Sequence, residues 1–179
     1  MLPKAIDRDF YVSDPDGYRR ALRIAISHLR ELSGFYPGFD SWLSSRVLPG
    51  IIAGERSILL ENSRGALAGI AIIKDTNLEQ KLCCLRVLPV NQGSGVGLRL
   101  FERAFDALQN RSPLLSVSEE RLGLFSRIFK HYGFELTEEY PEFYRPSKIE
   151  YSFNGLLDNS PASDPREAFN SRSHVFLAI

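Results

Sequence analysis

Behind Asp14 and Pro15, a capping side chain followed by a residue suited to a first helical turn, the apolar residues Leu22, Ala25, Ile26, Leu29 and Leu32 recur at helical spacing. They predict an amphipathic helix over 15–32. A second helical piece is expected to begin near Asp40 and to carry Trp42, Leu43 and Val47, with Pro49 and Gly50 breaking or bending it. The texture then changes. Apolar stretches over 57–60 and 66–74, separated by Asn62-Ser63-Arg64-Gly65, read as a hairpin, and the run over 82–88 adds a third antiparallel strand. Beyond a glycine-rich turn, helix and strand alternate: a helix over 95–108, a strand over 113–118, a helix over 119–132, and strands near 134–139 and 147–153. The pattern predicts an α/β (α+β) chain, a meander followed by alternation, forming one domain over 1–156. Residues 157–170 hold Asp, Asn, Ser and Pro clusters without periodicity, so 157–179 is expected to be a peripheral tail, although 175–179 is apolar again and suited to docking.

Composition narrows the classes. A chain of 179 residues with 44% hydrophobic and 25% charged residues has the usage of one ordinary globular domain. No apolar run approaches the roughly 20 residues of a membrane span. Lys4, Asp7, Arg8 and Asp9 interrupt the segment where an export signal would need continuous apolar residues, so a cytoplasmic protein is expected. With 22 basic against 22 acidic residues, no global field draws the chain to nucleic acid or to an anionic membrane, and neither partner is favoured. The only cysteines, Cys83 and Cys84, are adjacent in an expected strand, where successive side chains point to opposite faces and a disulfide is not expected. With three scattered histidines, they offer no metal set.

The chemistry is concentrated in Val90-Asn91-Gln92-Gly93-Ser94-Gly95-Val96-Gly97-Leu98, between a strand and a helix with the apolar stripe Gly97, Leu100, Phe101, Ala104, Phe105 and Leu108. A helix opening presents backbone N–H groups without intrahelical partners and a positive dipole end, which together suit an anion. Gly93 and Gly95 lack the Cβ atoms that would hold a phosphate away, and Gly97 would let the helix lie close to the sheet. No Lys-Ser/Thr pair follows, as a Walker loop requires, and the glycines fall as G-x-G-x-G rather than the G-x-G-x-x-G of a dinucleotide site.

Gln92-x-x-Gly95-x-Gly97 matches the Q/R-x-x-G-x-G/A signature of the GNAT superfamily of acetyl-CoA-dependent N-acetyltransferases. The order of elements around it and His131-Tyr132-Gly133-Phe134-Glu135-Leu136, similar to the Y-x-x-x-G-F region of that family, carry the resemblance over about 55–153. It implies a mixed, mostly antiparallel central sheet with two splayed parallel strands, flanked by helices. It also implies acetyl-CoA as co-substrate and no metal. The pantetheine arm would pair with the main chain at Leu85, Arg86 and Val87, with an N–H of Leu85 or Arg86 on the oxyanion. The pyrophosphate would rest on Gln92, Gly93, Ser94, Gly95, Val96 and Gly97, with Ser94 as an extra hydroxyl donor.

The resemblance is less complete for the catalytic groups. Where histone-type members carry a glutamate base, this chain has Lys81, and the tyrosine acid of many members falls on Phe129. Glu119 and Glu120, at the end of the second splayed strand, are the candidate bases; Ser126 and Tyr132, with His131 nearby, are the candidate donors. Tyr36, Phe39, Trp42, Tyr144 and Tyr151 are candidate walls of an aromatic acceptor pocket. The implied activity is direct attack of a primary amine, from a small molecule, an amino acid or a protein, on the thioester, by a monomer or homodimer. The alternative is a catalytically weak acyl-CoA-binding sensor module; acetylation of aminoacyl-tRNA is disfavoured by the zero net charge.

Overall fold

The computed structural model describes residues 2–34, 36, 38–157 and the backbone of 176–178. The predicted domain-initial helix forms because its start is fixed locally. Strand β1 (Ala5–Ile6) leads into α1 (Arg8–Ser13) and α2 (Pro15–Leu29), and the Asp14 carboxylate accepts the Gly17 N–H at 2.8 Å. A 3₁₀ turn, Arg30–Gly34, extends α2 and buries Leu32.

The next segment departs from expectation. Pro49 and Gly50 do not break the helix: α3 (Phe39–Trp42) passes through a π turn, Leu43–Val47, into α4 (Leu48–Ala53). The Leu48 N–H reaches back five residues to the Leu43 carbonyl. This extra residue places Pro49 in the first turn of α4, where its missing N–H forfeits no bond.

Strands β2 (Arg56–Ser63), β3 (Ala66–Asp75) and β4 (Gln80–Val87) form the predicted meander, with β1 on the outer edge of β2. Arg64 and Gly65, at φ 51° and 81°, make the left-handed two-residue turn that the right-handed twist of a hairpin favours. Helix α5 (Val96–Leu108) packs on β2, β3 and β4. Gly69 sets that approach, since a Cβ there would lie 2.8 Å from both Leu100 Cδ1 and Val96 Cγ1. Gly97, expected to do so, would make only an ordinary 3.4 Å contact with Val87 Cγ2.

A second sheet has the order β5 (Leu115–Ser118), β7 (Ile149–Phe153), β6 (Leu136–Pro141), and α6 (Glu119–Tyr132) covers β5 and β7. Two cores result. One lies between the sheet and the N-terminal helices and includes Trp42, Phe39 and Ile72. The other lies under α5 and α6, where Phe101, Phe105, Phe125, Phe129 and Phe134 pack ring against ring.

Strand β4 carries one residue more than β3. Ile72 pairs with Cys84 and Ile73 with Leu82, so Cys83 is a bulge. The strict alternation expected of a strand fails here, and both cysteines face the core beneath the N-terminal helices. Both are free, buried thiols.

Residues 158–175, within the expected tail, lie outside the described residues. The backbone of Phe176–Ala178 forms β8, the end strand of the five-stranded sheet, paired with β4. An apolar segment suits that place, because an open strand edge offers unpaired main-chain groups beside buried side chains. Among the described residues, no helix is long and apolar enough to cross a membrane.

Candidate functional site

Strands β4 and β5 run parallel and touch at one place. The Leu82 N–H donates to the Leu114 carbonyl at 3.0 Å, the Leu114 N–H donates to the Gln80 carbonyl at 3.1 Å, and Lys81 pairs with Leu114. Beyond that bridge the strands part. In the gap lies β8, parallel to β4 with Cys84 opposite Phe176, Leu85 opposite Leu177 and Arg86 opposite Ala178, and also against β5. The bulge at Cys83 falls just past the bridge, and a bulge is a feature that bends a strand.

The glycine turn follows the open end of β4. Gly93 and Gly95 are left-handed, at φ 74° and 77°, and Gly95 precedes α5 with no side chain capping it. The Gln92 N–H bonds the Pro89 carbonyl and the Ser94 N–H the Asn91 carbonyl, both at 3.3 Å. The Ser94 hydroxyl is used locally as well, donating to the Asn91 carbonyl at 2.5 Å. Among the described residues, the N–H groups of Gly93, Gly95, Val96 and Gly97 make no such bond. Arg99 adds a cation: its Nη1 reaches the Ser94 carbonyl at 3.3 Å while its Nε pairs with Glu61 at 2.7 Å.

Beneath the fork is a buried polar row. Among the described residues, the buried polar or charged ones are Lys81 and Arg86 on β4, Ser116 and Ser118 on β5, and Glu150 and Ser152 on β7. Their strand neighbours Leu82, Leu85, Val87, Leu115, Val117 and Phe153 belong to the core under α5 and α6, so the polar row faces the N-terminal helices. The Ser116 hydroxyl donates to Glu150 Oε1 at 2.6 Å. Burial raises the Glu150 carboxyl to about 8, against the pull of that hydrogen bond. Burial also lowers Lys81 to about 8, and its Nζ has no hydrogen-bond partner among the described residues. Tyr36 hydrogen-bonds Ser118; its phenol is raised by burial and then by Glu150, and Arg145 lies over its ring at 5.8 Å. Arg86 pairs with Glu31, leaving its Nε buried without a partner. Two groups that exchange protons near neutrality thus stand on the same face of the fork.

None of the residues expected to be catalytic belongs to that buried row. Glu119 and Glu120 occupy the first turn of α6, where Lys148 Nζ contacts them at 3.2 and 3.0 Å and Arg145 binds Glu120. The Arg145 and then the Lys148 hydrogen bonds hold the Glu120 carboxyl below its ordinary value. Ser126 is exposed and donates to the Gly123 carbonyl at 3.0 Å. Tyr132 packs against Phe105 between α5 and α6 and donates to Glu102 at 2.6 Å; burial and that bond raise its phenol to about 12. The aromatic candidates also separate. Phe39 and Trp42 are core, Tyr151 sits with the opposite core, Tyr144 packs on Phe143, and Tyr36 alone of the five joins the polar row.

Glu150, Ser116, Ser118 and Arg99 were not singled out from the sequence. The alternation Ile149-Glu150-Tyr151-Ser152-Phe153 was the available signal, but it has the same form as a strand with one face in water. An open cavity of about 640 Å³, lined by Asp75, Glu79, Gln80, Asn110 and Leu114, lies at the closed end of the fork, the opposite end from the glycine turn.

The meander, the bulged β4 splayed from a parallel β5, and the glycine turn opening α5 form a fold similar to that of a solved acetyltransferase. The structure matches that of a Bacillus anthracis protein assigned as a streptothricin acetyltransferase, solved in complex with acetyl coenzyme A. The TM-score is 0.52 at 14% identity, over 62% of this chain and 69% of that one. A protein from Desulfovibrio desulfuricans assigned to the GNAT family aligns over 83% of this chain and 88% of its own, at 16% identity and a TM-score of 0.49. The ribosomal-protein-S18-alanine N-acetyltransferase of Escherichia coli aligns over 60% and 73%, at 20% identity and a TM-score of 0.44. No protein-family model matches the sequence, and neither does any curated protein. At these identities the likeness is one of fold.

Proposed function

We propose that the chain is an acetyl-CoA-dependent N-acetyltransferase acting on a primary amine. The observation that carries this is the fork: two parallel strands joined at Lys81 and Leu114 and then parted, with unpartnered N–H groups at the mouth and a buried carboxyl beneath. The diphosphate would rest on the N–H groups of Gly93, Gly95, Val96 and Gly97, with Arg99 as counter-charge. The pantetheine arm would take the main-chain edge of β4 at Leu85, Arg86 and Val87, directing the thioester toward the polar row.

An alkylammonium near pKa 10.4 costs about 4–5 kcal/mol to deprotonate at neutral pH, so a base is valuable. Glu150 is the better candidate than Glu119 or Glu120. It is buried, raised toward the working pH and free of ion-pair partners among the described residues, whereas the other two are held by Lys148 and Arg145. In its ionised form Glu150 takes the proton as the amine attacks the thioester carbonyl. The tetrahedral intermediate then expels the CoA thiolate, and a β4 N–H supports the oxyanion. Lys81, facing the same row, lowers the cost of the Glu150 charge.

Release of free thiol from acetyl-CoA, measured over a panel of small amines and peptides, tests this. Acceptor-dependent release is expected. Cofactor binding without release for any acceptor would instead favour the binding module, a reading that Lys81 at the glutamate position supports.

A further inference from the structure

Strand β8 lies on the part of β4 that the acyl carrier would need. Cys84, Leu85 and Arg86 of β4 are paired in parallel with Phe176, Leu177 and Ala178. The same short strand also lies against β5, so it fills the opening between the two. A splayed strand presents one set of outward main-chain N–H and carbonyl groups along its edge, and each can be satisfied once. A pantetheine arm, with its own amides, bonds such an edge as a strand does. The two occupants are therefore exclusive along this edge.

We infer that the C-terminal segment around Phe176–Ala178 is a built-in competitor that seats itself in the cofactor cleft and must leave for acetyl-CoA to bind, an inference that rests on the acetyl-CoA assignment above. Three features support it. The segment is apolar in sequence, and the strands on either side of it carry the buried Leu85, Leu115 and Val117. It runs parallel to β4 and pairs by main chain, so its hold on the cleft is a ladder of hydrogen bonds that another strand-like ligand can replace bond for bond. It is tethered through residues 158–175, whose Asp, Asn, Ser and Pro content gives no apolar periodicity, and an extended chain spans at most about 3.3–3.6 Å per residue. Because it belongs to the same chain, the segment competes as an intramolecular ligand, at an effective concentration that a free strand would not reach. Each departure exposes the open edge; each return shields it from pairing with other chains.

The test compares the full chain with its Leu177→Pro variant, because proline removes an N–H and cannot continue a ladder. In the absence of cofactor, hydrogen exchange at those of the Cys84, Leu85 and Arg86 amides that point toward β8 is expected to be faster in the variant, while those that point toward β3 stay unchanged. CoA, titrated calorimetrically, is expected to bind the variant about tenfold more tightly, as when only about a tenth of the wild-type chain is open. In the wild-type chain, saturating CoA is expected to speed exchange at residues 176–178 while slowing it at 84–86. Unchanged exchange at the amides pointing toward β8 in the variant overturns the seating of the segment. Equal CoA affinity in the two chains, or 176–178 amides that stay protected at saturating CoA, overturns the competition. Should CoA bind neither chain while exchange at 84–86 still responds to Leu177→Pro, the cofactor assignment fails and the competition with it, although the strand is docked. If the variant does not fold, the wild-type exchange experiment decides alone.

Discussion

The two faces of β4, β5 and β7 are made from the same strands and are both buried, yet they differ in kind. Toward α5 and α6 stand Leu82, Leu85, Val87, Leu115, Val117 and Phe153; toward the N-terminal helices stand Lys81, Arg86, Ser116, Ser118, Glu150 and Ser152. The first face is what folding alone would select, since apolar burial contributes roughly 25 cal/mol per Å². The second works against folding. A buried ammonium without a partner and a buried carboxyl with one hydroxyl donor each incur a desolvation cost that one hydrogen bond does not offset. The difference teaches where stability has been given up, and that place coincides with the parting of β4 from β5.

The sharpest contrast should come from Glu150→Gln, which preserves shape and removes the base. It is expected to lower kcat by about 10²–10⁴ while leaving CoA affinity within twofold. A base must be ionised, so the wild-type rate should climb with pH through about 8, and the variant should lose that limb. A variant with full activity and the same profile would remove Glu150 from the chemistry. On the apolar face, Phe101→Ala should cost about 3–5 kcal/mol in denaturant unfolding, because it opens a cavity among close-packed rings. A loss under 1 kcal/mol would mean that this face is no better packed than the polar one. The opposite sign is expected at Lys81. Lys81→Met should raise stability by about 1–3 kcal/mol while slowing turnover, since it replaces an unpartnered buried ammonium with an apolar chain of similar length.

A broader effect is expected in the pH dependence of melting. The Glu150 carboxyl is raised on folding, so the folded chain binds more protons than the unfolded one between about 4.3 and 8. Stability contributed there is full at the acid end and declines as pH rises toward 8. Lys81 is lowered, so its contribution runs the other way, rising between about 8 and 10.4. Melting temperature should therefore dip near pH 8 by several degrees. Glu150→Gln should flatten the acid side of that dip, and an unaltered curve would count against the burial of its charge.

Much of the frame was legible because its determinants are local. Asp14 with Pro15 starts a helix wherever it sits, Arg64-Gly65 closes a hairpin, and the glycine turn before α5 can be recognised from six residues. The helix over 119–132 needed only its apolar stripe and Gly133, left-handed at its end. What could not be read depends on partners far along the chain. The extra residue at Cys83 exists only relative to β3, and Pro49 is tolerated only because the turn before it widened. Glu150 resembles any charged residue on a half-exposed strand until β5 and the N-terminal helices close over it. The acids at Glu119 and Glu120 drew attention by position, but Arg145 and Lys148, distant in sequence, bind them.

The bulge at Cys83 has a reach well beyond its own residue. Removing that single peptide unit would leave Ile73 opposite Leu82 and Ile72 opposite Cys84 with nothing between them, restoring plain alternation with Lys81 and Leu82 on the faces they already occupy. It would also straighten the strand, so that β4 could zip against β5 along its length and merge the two sheets into one. One inserted amino acid thus separates a seamless slab from a structure with an entrance.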